Sequence, residues 1–84
     1  MVYTIGLKIN LLELNPAYPK EPKTLGERIR KARMDKGLLI RELAALVGVS
    51  PDTILNWELR NVKPMGRNLR RVQEVLEVKA PEVS

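Results

Sequence analysis

The stretch from residue 41 to residue 58 reads RELAALVGVSPDTILNWE and carries the strongest structural signals of the 84-residue chain. Three apolar residues fall at helical spacing in its first half: Leu43, Ala44 and Val47. Gly48 can then turn the chain with a positive φ at little steric cost. Ser50 is a good N-cap residue, and Pro51 suits the first position of a second helix. The stretch therefore predicts two short helices, near residues 40–47 and 51–60, separated by a three-residue turn.

Two further helices are predicted on either side of this stretch. The first begins at Thr24, which forms a capping box with Glu27, and it ends at Gly37. The last runs from about residue 66 to residue 78, and its inward positions are Leu69, Val72, Gln73 or Val75, and Leu76. We therefore expect an all-α fold, a bundle of four to five helices over residues 23–79, with residues 80–84 as a C-terminal tail.

The first 22 residues have a different character. Apolar residues alternate with others in a pattern that favours a short strand: Tyr3, Ile5, Leu7 and Ile9. Pro16, Pro19 and Pro22 then exclude a helix and favour an extended linker. We expect residues 1–22 to form an extended N-terminal arm, in which a lone strand must pair with another strand or stay disordered. A strand from a second copy of the chain is one candidate partner.

Composition narrows the possible functions. The chain has 15 Lys and Arg against 10 Asp and Glu, and the formal charge of +5 falls entirely on residues 23–84. A basic domain suits a polyanionic partner, either nucleic acid or anionic lipid, although such a charge also serves solubility alone. Histidine and cysteine are absent. Because these are the commonest metal ligands and catalytic side chains, we expect no metal, no other cofactor and no enzyme activity.

The chain carries no sign of a membrane or secretion segment. Its apolar runs are too short to span a bilayer, and its N-terminus lacks the basic start and apolar stretch of a secretion signal. We therefore expect no membrane partner and a cytoplasmic location. No feature of the sequence indicates a small-molecule substrate.

The two central helices match a supersecondary unit. Two short helices joined by a three-residue turn that contains glycine form a helix-turn-helix. Ala44 is small enough to let the helices approach, and Val49 and Ile54 fill the wedge between them. The N-terminal end of the second helix can then enter the major groove of DNA, where base edges present distinguishable donors and acceptors. The pattern favours sequence-specific binding to double-stranded DNA.

Several short motifs resemble one family of DNA-binding proteins: Arg41-Glu42-Leu43-Ala44, Gly48-Val49-Ser50, Thr53-Ile54, Trp57-Glu58 and Lys63-Pro64. Together they are similar to the phage repressor and Cro family, also called the XRE type, over residues 24–78. The resemblance implies a lambda-repressor-like bundle. It also implies a transcription regulator, a repressor by preference, that binds operator DNA as a homodimer in the cytoplasm of a bacterium or archaeon.

The resemblance further implies which residues meet DNA. The base-reading positions of the family correspond to Pro51, Asp52 and Asn56, and apolar Leu55 beside them suits a thymine methyl group. The expected phosphate contacts come from five residues: Thr53, Arg41, Lys63, Arg67 and Asn68. Phosphate contacts position the protein without reading the sequence. Arg33 and Glu58 match a structural pair that ties the first helix to the third.

Some of these roles have alternatives. Asn56 can pair bidentately with adenine, whereas Asp52 either accepts from cytosine N4 or only caps its helix. Leu55 and Leu59 could instead face a partner subunit. Trp57 is expected in the core. Three cations of the first helix are expected to form a solvated face: Arg28, Arg30 and Lys31.

The sequence departs from the family pattern in three places. Ile40 stands where the family often has a glutamine that contacts a phosphate. Arg60 stands where a glycine often follows the third helix, so Asn61 is expected to supply the left-handed residue instead. Met65-Gly66 leaves the start of the last helix without a polar cap. Two alternatives keep the fold but change the function: a protein-interaction module, or an antitoxin that binds DNA and a toxin.

Overall fold

Four helices form the part of the chain that the computed structural model describes, residues 14–78. They are α1 (Leu25–Asp35), α2 (Ile40–Val47), α3 (Pro51–Leu59) and α4 (Gly66–Leu76), and these residues contain no strand. The prediction of an all-α helix-turn-helix bundle is confirmed. The strand expected between residues 3 and 9 lies outside the described residues.

Side chains cap the N-terminal ends of α1 and α3, as the sequence predicts. Thr24 Oγ1 accepts a hydrogen bond from the Glu27 backbone N–H at 3.0 Å, and Ser50 Oγ accepts one from the Thr53 N–H at 3.3 Å. The capping box at α1 differs in one bond, because Glu27 Oε1 accepts from the Lys23 N–H, at 2.7 Å, one residue before the N-cap. Each cap satisfies a donor that the first turn of a helix leaves free.

The helix ends follow from backbone conformation. Gly48 has a φ of 89° and ends α2 in the left-handed region, which glycine reaches without a Cβ penalty. Asn61, with a φ of 58°, supplies the left-handed residue after α3, as predicted. α4 ends at Leu76, two residues earlier than predicted, because Glu77 adopts a φ of 59° and its N–H bonds back to the Gln73 carbonyl.

One apolar core unites the four helices. α1 and α2 both pack against α3, and α4 packs against α1 and α2. The core consists of nine side chains with at most a tenth of their surface exposed: Leu25, Ile29, Leu43, Ala44, Val47, Ile54, Trp57, Val72 and Leu76. Trp57, at 3% exposure, belongs to this core, as expected. Ile40, which departs from the glutamine that the resemblance suggests, also packs against it.

α1 approaches the main chain of α3 closely at Gly26. A Cβ atom built on Gly26 would meet the Trp57 backbone carbonyl oxygen well inside 3.0 Å, a separation that real Cβ atoms essentially never show. The neighbour is main chain and not a flexible side chain, so it cannot rotate away. The sequence alone indicated Ala44 as the small residue of close contact, and Gly26 plays that part for the α1–α3 pair.

The segment before α1 folds back onto that helix and is not extended throughout. Asn15 Oδ1 accepts from the Ala17 N–H, and the Tyr18 N–H donates to the Asn15 carbonyl, both at 2.9 Å, which closes a turn. Tyr18 is 6% exposed, and its hydroxyl donates to Asp35 Oδ1 at 2.6 Å. Arg30 Nε donates to the Ala17 carbonyl at 2.7 Å. The prolines exclude a helix here, as predicted, but side-chain contacts hold the segment against α1.

Contacts among Tyr18, Asp35 and Lys31 shift the pKa values of all three side chains. The hydrogen bond to Asp35, aided by burial, raises the pKa of Tyr18 above its ordinary value of 10.0. Burial acts to raise the pKa of Asp35, but hydrogen bonds from Tyr18 and Lys31 outweigh it and hold the pKa below 3.8. Contact with Tyr18, and then with Asp35, raises the pKa of Lys31 above 10.5. The contacts among Tyr18, Asp35 and Lys31 therefore contribute fully to stability only at pH values above 3.8 and below 10.0.

We expect the Tyr18→Phe substitution to reduce stability near neutral pH and to matter much less in acid. Because the pKa of Asp35 is lower in the folded state, its contribution is complete above 3.8 and is lost as the pH falls through the folded value. Urea denaturation of both proteins at pH ~7 and pH ~2 measures the difference. An equal difference at both pH values would contradict the assignment, and Asp35→Asn serves as the control that removes the acid-dependent part.

Candidate nucleic-acid interface

α3 has two chemically distinct faces. Ile54 and Trp57 point into the core, with exposures of 0% and 3%. On the opposite side, Pro51 and Asp52 are exposed at the first turn. The three other predicted contact residues of this helix are half-buried: Thr53, Leu55 and Asn56. All five residues that the sequence assigned to DNA contact on α3 therefore lie outside the core.

A buried ion pair holds the inner face of α3. The side chain of Glu58 is fully buried, and both of its oxygens are bonded to Arg33, Oε2 to Nε at 2.7 Å and Oε1 to Nη2 at 3.0 Å. The remaining Arg33 Nη1 donates to the Leu38 carbonyl at 2.8 Å. This bidentate geometry is the strong form of an arginine–carboxylate contact. It joins α1, the turn before α2 and the end of α3.

Arg30 adds a second cation to this pair. Its Nη1 lies 3.3 Å from Glu58 Oε1, and its Nε donates to the Ala17 carbonyl. The Arg30 side chain therefore joins the segment before α1 to α3. Lys31 pairs with Asp35 at 3.1 Å and lies 5.5 Å above the Tyr18 ring. The prediction of a solvated face is therefore wrong for Arg30, whose side chain is 19% exposed, whereas Lys31 keeps 34% of its side chain exposed and Arg28 is exposed. The spacing of Arg30 and Arg33, three residues apart on one helix face, is the signal that could have indicated the shared acid.

The outer face of α3 carries its own polar contacts. The Ser50 and Thr53 hydroxyl oxygens lie 3.0 Å apart at the first turn. Arg60 Nη1 donates to Asn56 Oδ1 at 2.7 Å. Asp52 occupies the second helical position, where the positive end of the helix dipole favours a negative charge. Arg60, absent from the residues that the sequence singled out for contact, therefore engages the amide oxygen of Asn56.

The remaining predicted contact residues surround α3 on other elements. Arg41 lies in the first turn of α2, Lys63 in the loop before α4, and Arg67 and Asn68 in the first turn of α4. The three cations are exposed, and within residues 14–78 no ion pair involves them. The structure brings Lys63 into one cleft with two cations that sequence reasoning did not select, Lys23 and Arg28.

Neither a metal site nor a membrane-spanning helix is found among the described residues. Within residues 14–78, no group of three or more His, Cys, Asp or Glu side chains is arranged to hold a metal ion. No helix formed by these residues is long and apolar enough to cross a membrane.

Known proteins match the chain over the helices that carry these features. The helix-turn-helix family model matches residues 29–83. A protein of Yarrowia lipolytica (strain CLIB 122 / E 150), named "Putative multi-protein-binding factor 1", is 32% identical over 63 residues, which cover 75% of this chain and 41% of that protein. The chain thus spans well under half the length of that relative, and no solved structure gives a significant match. With α2, the glycine turn and α3 inside the matched region, the chain belongs to the XRE-type helix-turn-helix family of DNA-binding domains.

Proposed function

We propose that the protein is a transcription regulator that binds specific sites on double-stranded DNA as a homodimer, with α3 in the major groove. One observation carries this proposal: α3 presents Pro51, Asp52 and Asn56 outward while a buried core and a buried ion pair fix its inner face. Base readout needs side chains held at defined positions on a rigid element. The helix-turn-helix family supplies the DNA-binding context.

Among the proposed base-reading residues, Asn56 has an amide that a neighbouring side chain already engages. Its Oδ1 accepts from Arg60 at 2.7 Å, and a carbonyl oxygen has a second lone pair. The amide can therefore accept from adenine N6 and donate to adenine N7 while Arg60 keeps it oriented. In the same proposal Asp52 accepts from cytosine N4, Leu55 contacts a thymine methyl group, and Pro51 packs against a neighbouring base edge.

The phosphate contacts in this proposal come from both sides of α3. Arg41, Lys63 and Arg67 supply exposed positive charge, and Thr53 and Asn68 supply polar hydrogens. Each neutralised phosphate releases counterions, so binding weakens steeply as salt rises. A two-fold dimer doubles the contacted sequence and predicts two half-sites about 34 Å apart, or one turn of DNA. A repressor fits such binding, because it needs no further activity.

Selection from a random DNA library tests the base-reading role of Asn56. The wild-type protein is expected to enrich a palindromic site, and Asn56→Ala is expected to lose preference at one position in each half-site. The loss should equal about 1–3 kcal/mol of discrimination at that position. Gln73→Ala, which removes a similar amide from α4, is the matched control and should retain the wild-type preference. An unchanged preference in Asn56→Ala would exclude Asn56 as a base reader.

A second candidate function is protein binding by the same fold. The name of the Yarrowia lipolytica relative points to it, and three apolar side chains near the end of α3 are well exposed: Leu59 at 61%, Val62 at 49% and Met65 at 76%. An electrophoretic mobility shift assay at low salt with genomic fragments separates the two functions. A retarded band supports DNA binding, whereas its absence with every fragment favours protein binding.

A further inference from the structure

A basic cleft lies between the start of α1 and the loop that joins α3 to α4. Its volume is about 420 Å³, and six residues line it: Lys23, Thr24, Leu25, Arg28, Asn61 and Lys63. Three of these are cations and none is an acid. The cleft therefore concentrates positive charge from two segments of the chain that are about 35 residues apart in sequence.

The three cations of the cleft have no acidic partner within residues 14–78, where each ion pair involves other residues. The acids nearest along the chain, Glu21 and Glu27, do not line the cleft, and Glu27 uses Oε1 to accept the Lys23 backbone N–H at 2.7 Å. Unpaired like charges held near one another repel, and an anion between them relieves that repulsion. The composition of the cleft therefore suits an anionic ligand.

The walls of the cleft are held in place by the fold. On one side, the Thr24 cap and the buried Leu25 anchor the start of α1. On the other side, the Val62 N–H donates to the Asn56 carbonyl at 3.2 Å and Pro64 is buried, which fixes the loop on either side of Lys63. A cleft whose backbone is already fixed needs little reorganisation when a ligand binds. Only the long cationic side chains must adjust.

The position of the cleft relative to α3 indicates the ligand. The proposed base-reading residues occupy the first two turns of α3, and the cleft lies beyond the other end of that helix. Nine residues of helix extend over roughly 13 Å, and the major groove is about 12 Å wide. A helix of this length that crosses the groove with its first turns on the bases brings its far end to the sugar-phosphate wall of the groove.

We propose that this cleft binds a phosphate group, and that in the DNA complex the group is a backbone phosphate next to the bases contacted by α3. This inference rests on the proposed DNA-binding function. Lys23 and Arg28 supply charge-assisted hydrogen bonds from α1, Lys63 supplies one from the loop, and Thr24 and Asn61 add neutral polar groups. A free phosphorylated molecule has the same chemistry, and the cleft volume falls in the range of small-molecule sites.

Salt dependence of DNA binding tests the backbone contact. The double variant Lys23→Gln/Arg28→Gln is compared with Lys20→Gln/Arg70→Gln, which removes the same charge from exposed positions outside the cleft. The cleft variant should reduce the slope of log affinity against log salt by about one to two, with an unchanged preferred sequence. The control should change the slope by less than ~0.5. Equal slopes for the two variants, in a protein that binds DNA specifically, would overturn the cleft and leave the proposed function intact.

Titration with inorganic phosphate, followed by backbone amide NMR, distinguishes the two sources. Saturable shifts confined to the cleft residues, and absent from Lys23→Gln/Arg28→Gln, are expected in the free protein. If the wild type binds no DNA but shows these shifts, the cleft serves a free phosphorylated ligand and the proposed function fails. If it shows neither DNA binding nor phosphate shifts, both proposals fail. Far-UV circular dichroism of the two double variants checks that both fold.

Discussion

The Glu58→Ala substitution is expected to destabilise the protein by about 3–5 kcal/mol, because it leaves two arginines beside an empty, dehydrated position. Glu58 is fully buried at its side chain and contacts both Arg33 and Arg30. A domain of this size has a total stability on the order of 5–15 kcal/mol, so much of the variant should be unfolded near 37 °C. Urea denaturation followed by circular dichroism measures the loss.

Glu74→Ala provides the matched control for this prediction. Glu74 pairs with Arg71 at 3.4 Å, but 59% of its side chain is exposed, so its removal should cost about 0–1 kcal/mol. Replacing both members of the buried pair, as in Arg33→Met/Glu58→Met, should cost much less than Glu58→Ala, since the only charge left without its partner is Arg30, whose side chain is 19% exposed. A loss in Glu58→Ala as small as that in Glu74→Ala would mean that water reaches the two arginines.

The Gly26→Ala substitution is expected to destabilise the protein even though alanine favours helices. Alanine should contribute at most about 1 kcal/mol through helix propensity, because Gly26 lies in the first turn of α1. The added methyl group, however, must displace the main chain at Trp57, and overpacking of this kind costs about 1–3 kcal/mol or more. The expected sum is a net loss, together with a shift of α1 away from α3 that would move the NMR resonances of the Trp57 indole.

Arg70→Ala on the exposed side of α4 is the control for this second substitution. It brings no added atom against a neighbouring main chain, and because arginine ranks close to alanine in helix propensity, its effect should stay within ~0.5 kcal/mol. Thermal denaturation of the three proteins compares them under one condition. An increase in the melting temperature of Gly26→Ala would show that α1 can move aside at little cost.

Local signals in the sequence sufficed for much of the fold. Ser50, Pro51 and Gly48 determine where α2 ends and α3 begins through caps and backbone conformation, which involve residues at most four positions apart. The inward faces of the helices follow from periodicity. The Arg33–Glu58 contact, by contrast, came from the resemblance to a family, because no local rule links residues 25 positions apart.

The features that the sequence did not indicate depend on long-range packing. Tyr18 reaches Asp35, and Arg30 reaches both Ala17 and Glu58, across 13 to 28 positions. Periodicity shows that Arg30 lies on a helix surface, but it does not show what covers that surface. The basic cleft was missed for the same reason, since Lys23 and Lys63 become neighbours only after the α3–α4 loop has folded.

The division of α3 into two faces has a consequence for how such proteins diversify. Ile54, Trp57 and Glu58 fix the helix from behind, and their partners lie on other elements. The residues at the outer face make few contacts with the core, so after a gene duplication they can be exchanged with little loss of stability. If the outer face reads bases as proposed, descendants of one ancestral gene could acquire new DNA targets through a handful of codon changes while the buried partners of α3 stay the same.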